Sequence, residues 1–474
     1  MRTKRTFLTI TIVIVLAIAM LALVACNDGS AYGDITDNEN EDDFVITAEG
    51  TTDNGFKYQI IDNEYAQLGP YEGELEEVVV PAKVEGKPVK NLYTYTFYTH
   101  KGKEYRERER AFHNNNTIKK VTLPDNMTVL KAYSFYKCPN LEEVVLPDTI
   151  TTIEKYAFKS CNNLGKMNLP SSLKTINSLP PIKAKTLVLP DGLESIGRNA
   201  FSGSKNLEEI TIPDNVTHLD KEAFLGCQNL ISITFGTGLT ALPDLVFFHC
   251  TNLKNVTLSS SITEIGRDAF SFCSGLTTIN LPQNLQKIGD RAFWNCNLLS
   301  DITLPQSVTE IGQYAFSNTN LESIEMPQGL ISLGRRAFYG CEGLEQVILN
   351  DTLEEISESS FAGCISLTDI SINENVVIGK DAFKDTPLST QSDFVIVNDI
   401  LIGVNVDGLD ITIPEGVKKI VCNFDNDNTI ENIHLPASLE DFGSIFNNLE
   451  NLENITIDQE NPNFTLIDSV IFSE

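Results

Sequence analysis

Eight cysteines recur at one slot of a repeating pattern: Cys138, Cys161, Cys227, Cys250, Cys273, Cys296, Cys341 and Cys364. Thiols in register could pair as disulfides, hold a metal or act as nucleophiles. Stacking would put neighbours about 5 Å apart, which a disulfide can span, so distance alone leaves bridging open. Zinc is less well served, because no Cys-x-x-Cys pair occurs. Other copies carry Ser204 and Thr319 in the slot. A position that takes Cys, Ser and Thr alike is expected to be a packing ladder of free, buried thiols. His249 beside Cys250 suggests a Cys–His couple, but neighbours in a turn usually point apart, so a structural role is expected. The remaining histidines are scattered, and carboxylates are too numerous to single out an acid–base pair. Dinucleotide, P-loop, HExxH and GxSxG motifs are absent, as is a calcium loop. The chain is therefore not expected to be an enzyme or to use a cofactor. Cys422 stands outside the ladder and receives no role.

The spacing of the cysteines reveals the elements that position them. From Cys227 the segment Cys-x-x-Leu returns at Cys250 and Cys273 in steps of 23 residues. Between Leu141 and Leu164 one full unit can be read. Leu141, Val144 and Leu146 give a strand-like alternation. Pro147 ends the strand, since it has no N–H for a ladder. Asp148-Thr149 turn the chain, Ile150 and Ile153 face inward from a short second segment, and Ala157, Phe158 and Cys161 close the coil as a turn or a short helix. Leu-Pro pairs at 123, 146, 169, 189, 281 and 304, and Ala-Phe pairs at 111, 157, 200, 223, 269, 292, 315, 337 and 382, keep the same beat. A unit this short cannot bury its own apolar face, whereas a stack of such units can.

These residues resemble the BspA-like, or treponemal-type, leucine-rich-repeat family, whose unit looks like L-x-x-I-x-L-P, a turn, an apolar pair and A-F-x-x-C-x-x-L. The resemblance covers roughly residues 78–457. It implies an α/β repeat solenoid of ~23-residue coils with a parallel strand ladder. It also implies a surface-exposed bacterial protein that binds other proteins, associated with adhesion to host matrix or to neighbouring cells. A scaffold or glycan-capturing lipoprotein is the alternative. The repeat specifies architecture and says little about the ligand.

Outside the array, Arg2, Lys4 and Arg5 precede an uncharged apolar run from Phe7 to Ala25, closed by Leu23-Val24-Ala25-Cys26. This looks like a secretory signal with a bacterial lipobox, which makes residues 1–25 a signal peptide and Cys26 the lipidated residue. An uncleaved membrane anchor is the other reading, and both put the remainder outside the cytoplasm. Residues 26–43 read as an acidic disordered tether. Residues 44–110 read as an N-terminal cap with a degenerate first repeat, 111–386 as regular repeats, and 387–474 as irregular repeats with hairpins, one about Asn398-Asp399. The sequence is expected either to stop inside what is a longer array in relatives or to use the last hairpin as a cap. A net charge of −30 argues against nucleic acid and anionic lipid as partners.

Candidate ligand contacts fall in three places. The strand face offers Thr211, Thr234, Thr257, Asn280, Thr303, Glu325 and Ser371, a polar row that equally suits a solvated strand. The residue after Ala-Phe, or its equivalent, is Tyr136, Phe248, Trp294 or Tyr339 in four copies, with His249 and Phe272 one place further on. Such aromatics anchor interfaces, or fold over the edge half buried. The charged stretch 98–110, with Arg106, Arg108 and Arg110, reads as an inserted hairpin or helix. A shortened, 20-residue step between Leu169 and Leu189, with Pro180-Pro181, should kink or narrow the stack.

Overall fold

In the computed structural model the described residues run from 44 to 473, apart from 101–102, 374–375, 391, 406–408, 423–429, 443–445, 447–448, 450 and 468–469. The proposed signal, Cys26 and the tether lie outside them. Among the described residues no helix is long and apolar enough to cross a membrane.

Most coils contribute two strands, and these line up in parallel ladders along two faces, although the coils of Leu281 and Leu304 give only the isolated bridge Thr278↔Asp301 on the first of them. The first is formed by the strand before the proline, as in Lys120–Thr122, Glu143–Val145 and Lys166–Met167. The second is formed by the apolar pair: Val129–Leu130, Thr152–Ile153, Thr175–Ile176, Ser195–Ile196 and His218–Leu219, then seven more strands from Ala241–Leu242 to Val377–Ile378. Registers advance by one coil, as in Glu264↔Lys287↔Glu310. Alternation puts Val121, Val144, Ile210 and Ile233 inside and their neighbours outward.

The α/β expectation is corrected: the solenoid is a β structure. The closing Ala-Phe segment is a turn in every described coil, and one four-residue 3-10 helix, Pro387–Thr390, is the helical element among the described residues. The reason lies in the backbone. In the regular coils two residues bracket the phenylalanine with left-handed φ: Tyr133 and Lys137, Tyr156 and Ser160, Leu245 and His249, Asp268 and Phe272. Right-handed helix cannot propagate through such residues. Stacked coils instead bond each other there, as Phe135 N–H donates to Ala157 O (2.8 Å) and Phe270 N–H to Ala292 O (2.8 Å).

A column of phenylalanines fills the centre. Phe112, Phe135 and Phe158 stack in one run, and Phe201, Phe224, Phe247, Phe270, Phe293, Phe316, Phe338, Phe361 and Phe383 in another, with successive centroids 4.9–5.7 Å apart. The short coil interrupts it: Leu179 takes the ring's place and donates its N–H to Ala200 O. There the first ladder breaks between Lys166–Met167 and Thr186–Leu187, while the second continues through Thr175↔Ser195.

At the N-terminal end, strands Ile46–Thr51, Phe56–Ile61 and Tyr65–Tyr71 form an antiparallel sheet. Phe56 meets Phe112 edge-on at 5.6 Å, and Tyr71 N–H bonds Ala111 O as a column residue would. The stretch between Leu92 and Ala111 is a hairpin, Tyr93–His100 with Lys103–Arg110, in unbroken antiparallel register. Further on, Phe394–Val397 and Ile400–Val404 pair through Asn398-Asp399, whose φ values of 53° and 62° suit a tight two-residue turn. The C-terminal coils bury a separate core around Leu401, Ile411, Ile420, Ile433 and Leu439.

Candidate binding surface

The ladder thiols lie inside the stack. All eight ladder cysteines and Cys422 are free and buried. Each ladder thiol donates to a phenylalanine carbonyl one coil back: Cys138 to Phe112 O (2.8 Å), Cys161 to Phe135 O (2.8 Å), Cys296 to Phe270 O (3.1 Å). Thr319 Oγ1 in the same slot donates instead to Phe316 O of its own coil (2.8 Å). Burial pushes the Cys227 thiol up to about 12 and raises Cys250 and Cys273 well above the ordinary value. Cys422 borders a hollow of about 360 Å³ with Lys380, Lys419 and Asp441. Burial lifts its thiol to about 12 as well, so it is no thiolate nucleophile near neutral pH. Among the described residues no group of three or more potential ligands is placed to hold a metal ion.

On the first ladder, Thr211, Thr257, Asn280, Thr303, Glu325 and Ser371 are exposed, and Thr234 is half buried. Charges beside this row pair across coils, as in Lys120–Glu143 (2.9 Å) and Lys185–Glu208 (2.8 Å).

The turn edge is different. Phe248, His249, Phe272 and Trp294, from three successive coils, form one cluster. His249 and Phe272 lie face to face at 4.5 Å with planes 2° apart, and Phe272 meets Trp294 edge-on at 4.9 Å. Phe248 lies beneath at 5.5 Å from Phe272. It is only 5% exposed, so it supports the other rings and offers no open face itself. His249, Phe272 and Trp294 are half buried. Below them Arg291 grips the buried Asp268 with two bonds of 3.0 Å. Burial lowers the His249 pKa, so its ring is neutral at pH 7.

Tyr136 and Tyr339 do not join this cluster. Tyr136 lies with His113 (5.3 Å) and Tyr133 (5.5 Å) near the N-terminal end. Tyr339 sits 5.9 Å from the Arg336 guanidinium, which also covers Tyr314. Arg110 meets the Tyr136 group, lying over Tyr133 at 4.9 Å, whereas Arg108 lies over Tyr93 at 4.8 Å. Arg106 stands opposite Phe97 in the hairpin register. Sequence reasoning missed Tyr133 and Tyr156, which occupy the left-handed position before the Ala-Phe pair or its equivalent. A scan of that slot for aromatics would have found them.

A stacked, two-ladder solenoid with this repeat defines a leucine-rich-repeat protein. The sequence matches the family model of the BspA type leucine rich repeat region in six copies, over residues 108–179, 182–300, 292–400 and 407–474. The chain belongs to that family. Solved structures with similarity include a leucine-rich repeat protein from Bacteroides ovatus, 21% identical, covering 89% of this chain and 100% of that one with a TM-score of 0.48. A leucine rich cell surface protein from Faecalibacterium prausnitzii is 24% identical, with coverage of 86% and 94% and a TM-score of 0.38. A leucine-rich repeat protein of T. pallidum is 24% identical, with coverage of 48% and 90% and a TM-score of 0.33. No curated protein matches the sequence.

Proposed function

We infer that this chain is a bacterial cell-surface binding protein, held to the membrane by lipid on Cys26, whose solenoid docks an extracellular protein in adhesion to host matrix or neighbouring cells. Membership of a repeat family that builds extended surfaces supports binding as the class of function. The observation that carries the site is the Phe272–Trp294 cluster. His249 (φ 62°) and Phe272 (φ 62°) occupy a left-handed slot that holds Gly203, Gly226, Gly340 and Gly363 in other coils. A side chain there costs about 1 kcal/mol over glycine. Bulky rings kept at two successive copies, beside the only tryptophan, are what an aromatic anchor requires.

The test is a binding screen of the purified protein against matrix proteins and glycans, with Trp294→Ala as the variant. Saturable protein binding that weakens about tenfold or more in the variant supports the reading. Binding to glycans with no protein ligand would sink it. Lipidation is checked separately by metabolic labelling with a fatty acid, which Cys26→Ser should abolish.

A further inference from the structure

The left-handed slot two residues after each central phenylalanine can be followed through eight successive coils. It holds Gly203 and Gly226, then His249 and Phe272, then Asn295 and Asn318, then Gly340 and Gly363, with φ between 56° and 77° throughout. Glycines, rings and amides thus come in pairs along one line. The amides bond each other, Asn318 Nδ2 donating to Asn295 Oδ1 at 2.9 Å. The rings stack, 4.5 Å apart and 2° from parallel.

A stack of two rings has two outer faces. Phe272 covers one face of His249, so the other face is turned back toward the coil of Gly226. The slot is bare on that side. A Cβ built on Gly226 or on Gly203 would have no atom within 4 Å beyond its chain neighbours. Phe248 meets His249 edge-on at 4.7 Å and closes the inner side of the ring. Leu225 is the counterpart of Phe248 in the coil of Gly226, and it is half-buried, which continues the apolar floor. The result is a berth one ring deep beside an imidazole face.

We propose that this berth holds an uncharged aromatic side chain of the bound protein, stacked on His249 as Phe272 is stacked on its other face. The assignment rests on the protein-binding reading of the Phe272–Trp294 cluster and names the group that the cluster receives. Neighbouring strands of a ladder lie about 4.8 Å apart, so a ring above Gly226 falls at the spacing that His249 and Phe272 already keep. Stacked aromatic pairs are favourable beyond the area they bury. A pyranose chair is thicker than a flat ring and fits that spacing less well. In the framing coils Arg198 bonds Glu222 at 3.0 and 2.8 Å, so this pair cancels its own charge and offers a phosphorylated or sulfated ring no partner.

The experiment is NMR of the purified protein with N-acetyltyrosinamide and N-acetyltryptophanamide as aromatic probes, N-acetylleucinamide as the apolar probe and methyl glucoside as the sugar probe. The His249 ring signals are those missing from His249→Gly, a variant that restores the residue of the preceding slots. Both aromatic amides should move these signals upfield, saturating in the roughly millimolar range of a single small contact, while the leucine amide and the sugar leave them in place. Gly226→Asn fills the berth with a residue the slot already carries at Asn295 and Asn318, so it should remove the shift with an unchanged melting curve. Gly363→Asn, at a distant slot where the nearest atom to a Cβ is 3.4 Å away, should respond as the parent does. Saturation transfer to the ring protons of the probe, lost in His249→Gly, gives a second reading that does not depend on Gly226→Asn. No saturable shift with either aromatic amide, an equal shift with the leucine amide or the sugar, or a shift that survives in folded Gly226→Asn overturns the berth, and protein binding still lost in Trp294→Ala then leaves the role of the cluster standing. Binding of both aromatic amides with protein binding unchanged in Trp294→Ala overturns the cluster as the docking site, and the proposed protein partner with it.

Discussion

A thiol in this protein is a hydrogen-bond donor to the neighbouring coil, and its worth depends on staying neutral. Cys227 and Cys422 are raised to about 12 by burial, from an ordinary value of 9.0. An unfolded thiol ionises near its ordinary value, while the folded one does so only near 12. Each such group therefore gives its full stabilisation below about pH 9 and loses it as pH climbs toward 12, at about 1.4 kcal/mol per pH unit. Thermal melts at pH 8, 9, 10 and 11 should show a steady fall in Tm above pH 9, and a flat profile would contradict the buried-neutral assignment. The same burial predicts that a thiol reagent at pH 8 labels no ladder cysteine in the native protein and all of them in denaturant, measured by intact mass. At the cap, Gln59 bonds the Tyr95 main chain twice, its Nε2 donating to the carbonyl (2.9 Å) and its Oε1 accepting from the N–H (2.8 Å). Gln59→Leu removes both of these buried bonds, and should cost about 2 kcal/mol in urea denaturation.

Each coil is a repeated set of contacts, so a coil that departs from the set shows where the stack is weak. Phe293 is fully buried between Phe270 and Phe316 at 5.2 and 5.3 Å. Phe293→Ala should destabilise by roughly 3–5 kcal/mol, read from the urea midpoint. The short coil lacks such a ring, with Leu179 in the column and the first ladder broken beside it. Amide exchange in residues 165–187 should therefore be faster than in 209–235, where the ladder bonds are unbroken. The hairpin at 93–110 illustrates what spacing leaves open. Its alternating charges fit either a strand or an exposed helix, and the choice was made by contacts far off in sequence, Gln59 and the cap, to which Tyr95 is tied.

Across residues 46–473 the solenoid buries two cores. One runs from Phe56 through the column to Phe383, and the other gathers Leu401, Ile411, Ile433 and Leu439. Repeat arrays lose cooperativity where neighbour contacts thin out. Urea unfolding followed by hydrogen exchange should show residues 409–467 opening before residues 207–367. Simultaneous loss of protection would mean that the two cores fold as one.

The sequence by itself determined the coil. Its Leu-Pro, Ala-Phe and Cys beat fixed which residues point inward, because a short unit has one way to bury its apolar face when copies stack. It made the family legible, and it marked Trp294, Tyr136 and the arginines of the hairpin as unusual. It did not show that the closing segment is a turn, since left-handed φ at residues as different as Tyr133, Leu245 and Phe272 is imposed by bonds to the next coil. Nor did it show that the apolar pair builds a second ladder, because two residues are too few to display a period. The grouping of aromatics was likewise decided only in three dimensions. Phe272 meets His249 and Trp294 because stacking places side chains a full repeat apart in sequence within 5 Å of each other. The same stacking sets Tyr136 among lysines and arginines and leaves Tyr339 beside Arg336, and no spacing along one chain distinguishes those surroundings.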